Sequence, residues 1–214
     1  MKIILVRHGE TLGNLGKKYI GKTDETLCET GIKKILDSVS KKKYPDADVV
    51  FSSPMKRCLE TAALIYPEKK IFVLKKFTEI DFGSFEGKNF CELEKNPDYK
   101  RWISSGGKTD FPNGEKKSHF IKRSVGSFFE MVKKAQKLDA KKICAVIHGG
   151  NIMAVLSSLT GKNYFDFQIA NGDFYSFDLL CDKNKNFFVT NLTCSKKIGR
   201  ISTLNKIYKK GEKA

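Results

Sequence analysis

The sequence contains little proline and no long apolar run. It has 5 Pro in 214 residues, and its opening apolar run, from Ile3 to Val6, is closed at once by Arg7. Four residues are too few for the core of a signal peptide or for a membrane-spanning helix, which needs about 20 apolar residues. These absences predict a soluble, cytoplasmic protein with no membrane partner.

Disordered and fibrous architectures are also excluded. Hydrophobic residues make up 40% of the chain and charged residues 30%, and the 16 Phe are spread along the sequence. This composition can bury enough apolar surface to offset the entropy of the chain. No repeat or low-complexity linker divides the sequence. We therefore predict a single domain over residues 1–214.

Arginine is scarce although the chain is strongly basic. Lys and Arg together number 40 against 24 Asp and Glu, a net charge of +16, but only five of the 40 are Arg. A field of this sign attracts nucleic acid or small anions. The Lys residues form short, scattered clusters that aromatic residues do not interleave, which argues against nucleic acid as a partner. Residues 195–214 carry a local excess of six positive charges, which is typical of a solvated terminus.

None of the six cysteines forms a C-x-x-C pair. This absence argues against zinc ribbons and thioredoxin-like chemistry. We expect reduced thiols, most of them buried. The cysteines are Cys28, Cys58, Cys91, Cys144, Cys181 and Cys194.

Strand signals alternate with helical patterns along the chain. Apolar runs predict strands at residues 2–6, 48–51, 71–74 and 143–147, and a late hairpin at 174–180 and 186–192 with a turn around 183–185. Helical spacing occupies residues 32–39, 121–135 and 151–161. Ser53 and Pro54 are residue types that cap and begin a helix. The pattern predicts a layered α/β sheet, with residues of about 85–113 as an irregular or helical excursion over one edge.

Arg and His residues follow three of these strands. Arg7 and His8 follow the first, Arg57 lies just after the second, and His148 follows the fourth. Ligands of such sheets bind beyond the carboxyl ends of the strands. Two Arg and two His that meet there form an anion site, because guanidinium groups match phosphate oxygens. Taken singly, Arg7 is equally well explained by a structural ion pair, and His148 is better explained as a buried core histidine. Their joint placement at the strand ends favours a functional site. An Arg beside His8 repels cations, and His119 lies apart, so we expect no metal.

Four motifs, in order, resemble those of the histidine phosphatase superfamily, which includes the cofactor-dependent phosphoglycerate mutases. The resemblance spans roughly residues 2–160. It rests on Leu5-Val6-Arg7-His8-Gly9-Glu10-Thr11 with Asn14, Gly21 and Asp24, Ser52-Ser53-Pro54 with Arg57 and Thr61-Ala62, Glu79-Ile80-Asp81-Phe82-Gly83 with Glu86-Gly87, and His148-Gly149-Gly150. It implies a three-layer α/β/α fold with a mostly parallel central sheet, as in phosphoglycerate mutases.

The resemblance also implies a role for each matching residue. The implied catalytic residues are Arg7, His8, Arg57, Glu79 and His148. The implied substrate-binding residues are Arg7, Asn14, Arg57, His148 and Gly149. His8 is then the nucleophile that becomes phosphohistidine, and Glu79 is the proton donor. The side chains supply the positive charge that a phosphoryl group needs, so no metal or cofactor is expected.

Departures from the mutase pattern favour a phosphatase. Phe82 and Phe90 stand where mutases of this family carry Tyr and Lys, and Arg101 and Arg123 are isolated rather than paired. The resemblance therefore implies hydrolysis of small phosphorylated metabolites, and the pattern from Glu79 onward resembles the α-ribazole-5′-phosphate phosphatase branch. The sequence gives no indication of the oligomeric state.

Three alternatives stay open at this point. The first is a cofactor-dependent phosphoglycerate mutase. The second is a basic polyanion-binding module with an inactive phosphatase-like fold, which the net charge motivates. The third is a cysteine-dependent phosphatase, because Cys194 and Arg200 have C-x5-R spacing.

Overall fold

A six-stranded sheet forms the centre of the computed structural model, which describes residues 1–184 and 186–196. The strands are β1 (Lys2–Arg7), β2 (Val49–Ser52), β3 (Ile71–Val73), β4 (Lys142–Ile147), β5 (Phe174–Cys181) and β6 (Phe187–Cys194). All six lie where apolar runs predicted them, with ends displaced by one or two residues. In the turn between β5 and β6, residue 185 lies outside the described part.

Helices occupy most of the segments between the strands. They are α1 (Leu12–Leu15), α2 (Glu29–Ser40), α3 (Lys56–Ile65), α4 (Phe90–Leu93), α5 (Pro97–Ser104), α6 (Lys117–Lys137) and α7 (Gly149–Thr160). Short 3-10 turns lie at Lys75–Phe77, Gly83–Phe85 and Tyr164–Phe167. Gly161 caps the end of α7, and its φ of 71° is left-handed and suits glycine. Within the described residues, no helix combines the length and apolar character needed to cross a membrane.

The strand order is β3-β2-β4-β1-β5-β6. The pairs β3–β2, β2–β4 and β4–β1 are parallel, whereas β5 pairs antiparallel with both β1 and β6. The predicted mostly parallel sheet is confirmed. Because β2, β4 and β1 are adjacent and parallel, their carboxyl ends meet at one place on the sheet edge.

Side chains that alternate along the central strands fill two cores. Ile3 and Leu5 of β1 face a core with helices α6 and α7, whereas Ile4 and Val6 face a second core with helices α2 and α3. Both faces of the sheet are therefore buried under helices, as expected for a parallel sheet. This arrangement is the three-layer α/β/α fold.

The excursion at about 85–113 contains the two short helices α4 and α5. Asn96 caps α5 by accepting hydrogen bonds from the backbone N–H groups of Asp98 and Tyr99, and Pro97 takes the first helical position. The segment has its own small core around Phe85, Leu93 and Tyr99. Other aromatic side chains, including Trp102, pack against this core.

Two local expectations were wrong. Helix α3 begins at Lys56 rather than Pro54, and Ser53 does not cap it, since the Ser53 hydroxyl bonds to the buried His148 ring instead. Only three of the six cysteines, all within the described residues, are buried; Cys91 and Cys181 are exposed, because they lie in the excursion and at the outer end of the hairpin.

Candidate active site

The predicted site residues meet at the carboxyl ends of β1, β2 and β4. The rings of His8 and His148 lie edge to face, with 5.2 Å between their centroids. Arg57, in the first turn of α3, donates from Nε to Nδ1 of His148 over 3.3 Å. Arg7 is close enough to Glu79 and Arg57 for their charges to act on it. Residues from four distant parts of the chain thus form one cluster.

His8 is a buried and neutral imidazole. Its Nδ1 lies 2.7 Å from the carbonyl oxygen of Gly9. A carbonyl can only accept, so Nδ1 holds the proton and Nε2 has a free lone pair. Burial, with the positive charges of Arg57 and Arg7, keeps the pKa of His8 well below its ordinary 6.5. The ring is therefore uncharged at neutral pH, and its Nε2 carries the free lone pair that a nucleophile needs.

His148 has the opposite tautomer. Its Nδ1 accepts from the Arg57 guanidinium, which can only donate, so Nε2 holds the proton and donates to the Ser53 hydroxyl over 2.8 Å. The side chain is fully buried. Burial and the charge of Arg57 lower its pKa well below 6.5. His148 is thus a neutral group whose ring position is set by two partners.

Arg57 is held by the loop around residues 21–23. It is 1% exposed, and it donates to the carbonyl oxygens of Thr23 over 2.7 Å and Gly21 over 2.9 Å. The loop is anchored in turn by the Glu86 carboxylate, which accepts from the backbone N–H groups of Gly21 and Thr23. Glu86 therefore positions the guanidinium without touching it.

Arg7 has a guanidinium donor that is not used within the described residues. Its Nη1 donates to the Ile169 carbonyl oxygen over 2.6 Å. Its Nε is buried, and no hydrogen-bond partner for it exists among the described residues. A Cβ at Gly149 would lie 3.4 Å from this Nε, so the start of α7 passes directly beside Arg7. A buried donor without a partner is rare, so this Nε is a candidate donor to a bound anion.

Glu79 is fixed at the start of α7. One oxygen accepts from the backbone N–H of Ile80 over 2.9 Å, and the other accepts from that of Gly150 over 3.1 Å. Burial raises the pKa of Glu79, against the opposing effect of these two amides and of the Arg57 and Arg7 charges. A carboxyl group with a raised pKa and a fixed position suits a proton donor.

Asn14 is linked to the backbone of His8 by Asn171, a residue that sequence reasoning missed. The side-chain oxygen of Asn14 accepts from the side-chain amide of Asn171 over 3.0 Å. That amide also bonds to the backbone carbonyl oxygen of His8, over 3.1 Å. Asn171 precedes β5 and belongs to no motif, so the sequence contains no signal that would have identified it. The hydroxyl of Thr61, a residue of the second motif, accepts a hydrogen bond from the backbone N–H of Gly9.

A cavity of about 670 Å³ lies beside Arg7 and Glu79. Aromatic side chains form much of its wall, and several belong to the excursion at about 85–113 or flank it. The aromatic lining residues are Tyr19, Phe82, Trp102, Phe111, Tyr164, Phe165 and Tyr175. Lys117 also lines the cavity. The space is much larger than a phosphate ion and has room for the organic part of an ester.

The four residues that distinguished the phosphatase from the mutase alternative lie in different surroundings. Phe82 lines the cavity, whereas Phe90 is 59% exposed. Arg101 pairs with Asp98 on the surface. Arg123 pairs with Glu115 and donates to the Glu79 carbonyl oxygen, so it is a structural residue under the site.

The described residues contain only half of the cysteine motif and no cluster suited to a metal ion. Cys194 lines the cavity, but Arg200, its partner in the C-x5-R spacing, and the basic residues beyond Lys196 lie outside the described part of the chain. His119 is exposed on α6. Within residues 1–184 and 186–196, no group of three or more His, Cys, Asp or Glu side chains is arranged to hold a metal ion.

This fold and this cluster define a histidine phosphatase. The family model of the histidine phosphatase superfamily (branch 1) matches residues 3–189, and the chain belongs to that superfamily. It is similar to phosphoserine phosphatase 1 of Hydrogenobacter thermophilus, with 31% identity over 200 residues that cover 91% of this chain and 93% of the relative. It is also similar to the adenosylcobalamin/α-ribazole phosphatase of Escherichia coli, with 24% identity over 93% of this chain and 98% of the relative.

A solved structure supports the same assignment. The phosphoserine phosphatase of Entamoeba histolytica, solved in complex with 3-phosphoglyceric acid, matches with a TM-score of 0.73 and 29% identity, over 89% of this chain and 95% of that one. The predicted family and fold are confirmed, and α-ribazole phosphatases are among the relatives as the resemblance implied. The protein is a phosphatase, a phosphoric monoester hydrolase.

Proposed function

We propose that this phosphatase hydrolyses small phosphomonoesters through a phosphohistidine on Nε2 of His8, with no metal ion. The observation that supports this most directly is the 2.7 Å contact between Nδ1 of His8 and the Gly9 carbonyl oxygen. It leaves Nε2 as the only unprotonated ring nitrogen, and it stabilises the positive charge that the ring gains as Nε2 attacks phosphorus.

The phosphoryl oxygens bind to donors that surround His8. Arg7 provides its unpartnered Nε, and Arg57 has further N–H groups beyond those that hold it in place. His148 and Asn14 complete the pocket, and the positive end of α7 begins at Gly149. Two fixed guanidinium groups supply the charge that a metal ion supplies in other phosphatases.

The reaction proceeds in two displacements that balance. First, the lone pair of Nε2 forms an N–P bond while the P–O ester bond breaks, and Glu79 gives its proton to the departing alkoxide. Then the Glu79 carboxylate takes a proton from water, the water oxygen bonds to phosphorus, and the N–P bond breaks. The products are an alcohol, orthophosphate and free His8. The raised pKa of Glu79 favours the protonated form that the first step requires.

Domain organisation and location complete the proposal. We place one histidine phosphatase domain over residues 1–214, with the excursion at about 85–113 as an insertion that lines the substrate cavity. We also place the enzyme in the cytoplasm, where small phosphorylated metabolites occur. Six unpaired thiols, all in the described part of the chain, suit a reducing compartment.

Phosphoenzyme labelling tests the proposal. Brief reaction with a ³²P-labelled phosphomonoester should give acid-labile label in the wild type and in Cys194→Ala, and none in His8→Ala. Turnover of p-nitrophenyl phosphate should be lost with His8 in parallel. Label that survives in His8→Ala but disappears in Cys194→Ala would establish the thiolate alternative. Interconversion of 2- and 3-phosphoglycerate that outpaces phosphate release would establish the mutase alternative.

A further inference from the structure

We propose that Lys117 determines specificity by binding a carboxylate of the substrate within the cavity, while the phosphoryl group occupies the site at His8. The inference rests on the proposed function, because it assumes that the cavity beside Arg7 and Glu79 holds the organic part of the ester. It adds a substrate class, phosphomonoesters with a second anionic group.

The Lys117 ammonium lies among groups that do not neutralise it. It donates to the Gly107 carbonyl oxygen over 3.1 Å. It also lies over the rings of Tyr164 and Phe165, 4.5 and 4.8 Å from their centroids. Cation–π contacts favour the charge but leave it available to an anion. An ammonium has three N–H groups, so at least one remains for a ligand.

No carboxylate within the described residues forms an ion pair with this ammonium. Asp110 accepts a hydrogen bond from the Lys117 backbone N–H over 2.9 Å, and acts on the side-chain charge only through space. Partial burial removes some of the water that would stabilise the ammonium, and this lowers the pKa of Lys117. A half-buried cation without a carboxylate partner in the described residues, in a cavity that already has an anion site, has the character of a ligand-binding group.

The other charges of the cavity are already satisfied. Asp173 lies 2.6 Å from the Lys43 ammonium and 3.3 Å from that of Lys196. Glu79 is held by two backbone amides, and its pKa is raised. Arg7 and Lys117 are therefore the cavity cations that have no carboxylate partner in the described part of the chain. A ligand with two anionic groups would match both.

A short path of contacts connects Lys117 to the reacting centre. The hydroxyl of Tyr164, whose ring lies under the ammonium, donates to the Gly150 carbonyl oxygen over 3.2 Å. The backbone N–H of Gly150 in turn donates to Glu79. The ammonium is thus one aromatic side chain away from the residue that anchors the proton donor. The apolar wall of the same cavity, which includes Phe82 and Phe111, suits a short carbon chain or a ring.

Two pairs of esters distinguish carboxylate binding by Lys117 from a purely structural role, in which Lys117 only holds the rings of Tyr164 and Phe165 in place. The short pair is 3-phosphoglycerate and glycerol 3-phosphate, and the longer pair is 4-carboxyphenyl phosphate and phenyl phosphate. Within each pair, only the first member has the carboxylate. We expect the ratio of kcat/KM within at least one pair to favour the carboxylate in wild type, and to fall about tenfold or more in Lys117→Met, mainly through KM.

The controls are a matched substitution and a conservative one. Lys122→Met removes an exposed charge from the same helix and should keep both ratios within twofold of wild type. Lys117→Arg keeps the charge and should restore most of the ratio. A loss that is equal for both members of each pair, or a change of less than fivefold in both ratios, would refute the inference. The inference would also be refuted if the wild-type enzyme showed no preference for the carboxylate ester in either pair, and this measurement requires no variant.

The test is also independent of the proposed function. If the wild type hydrolyses phenyl phosphate in a His8-dependent way and Lys117→Met leaves the ratios unchanged, only the inference fails. If no ester is hydrolysed, the proposed function fails, and the same comparison is made on the dissociation constants of the four esters, measured by calorimetry with wild type, Lys117→Met and Lys122→Met.

Discussion

Replacement of Gly150 by Ala should displace the proton donor from the active site. A Cβ built on Gly150 lies 2.2 Å from a carboxylate oxygen of Glu79 and 3.0 Å from the ring of Phe120. Real Cβ contacts stay beyond 3.0 Å, so the carboxylate must retreat by at least about 0.8 Å. The helix cannot yield easily, because its backbone N–H at residue 150 is bonded to that carboxylate and Phe120 is fully buried.

The magnitude follows from this displacement. A catalytic group that moves by about 1 Å costs on the order of 100-fold in rate. We therefore expect Gly150→Ala to lower kcat about 100-fold for an alkyl ester such as glycerol 3-phosphate. The loss in kcat/KM, which reports the first displacement only, should be clearly smaller for p-nitrophenyl phosphate, because p-nitrophenolate departs without a proton. Steady-state kinetics with both esters measures the difference.

The control is the equivalent substitution at another helical glycine. A Cβ at Gly126, within α6, meets no atom within 4 Å. Gly126→Ala should therefore stabilise the protein by roughly 0.5–1 kcal/mol, through reduced chain entropy and better helix propensity, and leave kcat unchanged. If folded Gly150→Ala keeps more than a third of the wild-type kcat for glycerol 3-phosphate, Glu79 is not the proton donor in the position described.

Two further predictions concern pH and the anchor of Arg57. The reaction needs His8 unprotonated, and the pKa of His8 lies below 6.5; it needs Glu79 protonated, and the pKa of Glu79 lies above the usual 4.5. As the pH increases, kcat/KM for alkyl esters should therefore rise through the pKa of His8 and fall through that of Glu79. An alkaline optimum would contradict this prediction. Glu86→Ala removes a charged acceptor from the loop at residues 21–23. It should lower the free energy of unfolding in urea by about 2 kcal/mol and raise KM for phosphomonoesters, whereas Glu68→Ala, on the surface, should change neither.

The strands and the location of the site were predictable from the sequence. A short apolar run is a local signal, so the strands that end at Arg7 and Ile147 were identified without knowledge of the strands that pair with them. Parallel strands place their carboxyl ends on a common edge, and for that reason His8 and His148 were expected to meet. The family resemblance added expected roles for these residues, and those roles remain predictions.

The tertiary structure alone decided which atoms are free to react. The proton on each histidine depends on a particular partner, and Ser53 bonds to His148 across 95 positions of sequence rather than capping the helix beside it. Asn171 reaches the His8 carbonyl oxygen from 163 positions away, and the cavity around Lys117 combines residues from several segments. Periodicity and motif spacing describe neighbours along the chain, whereas these contacts are set by how packed layers bring remote side chains to hydrogen-bonding distance.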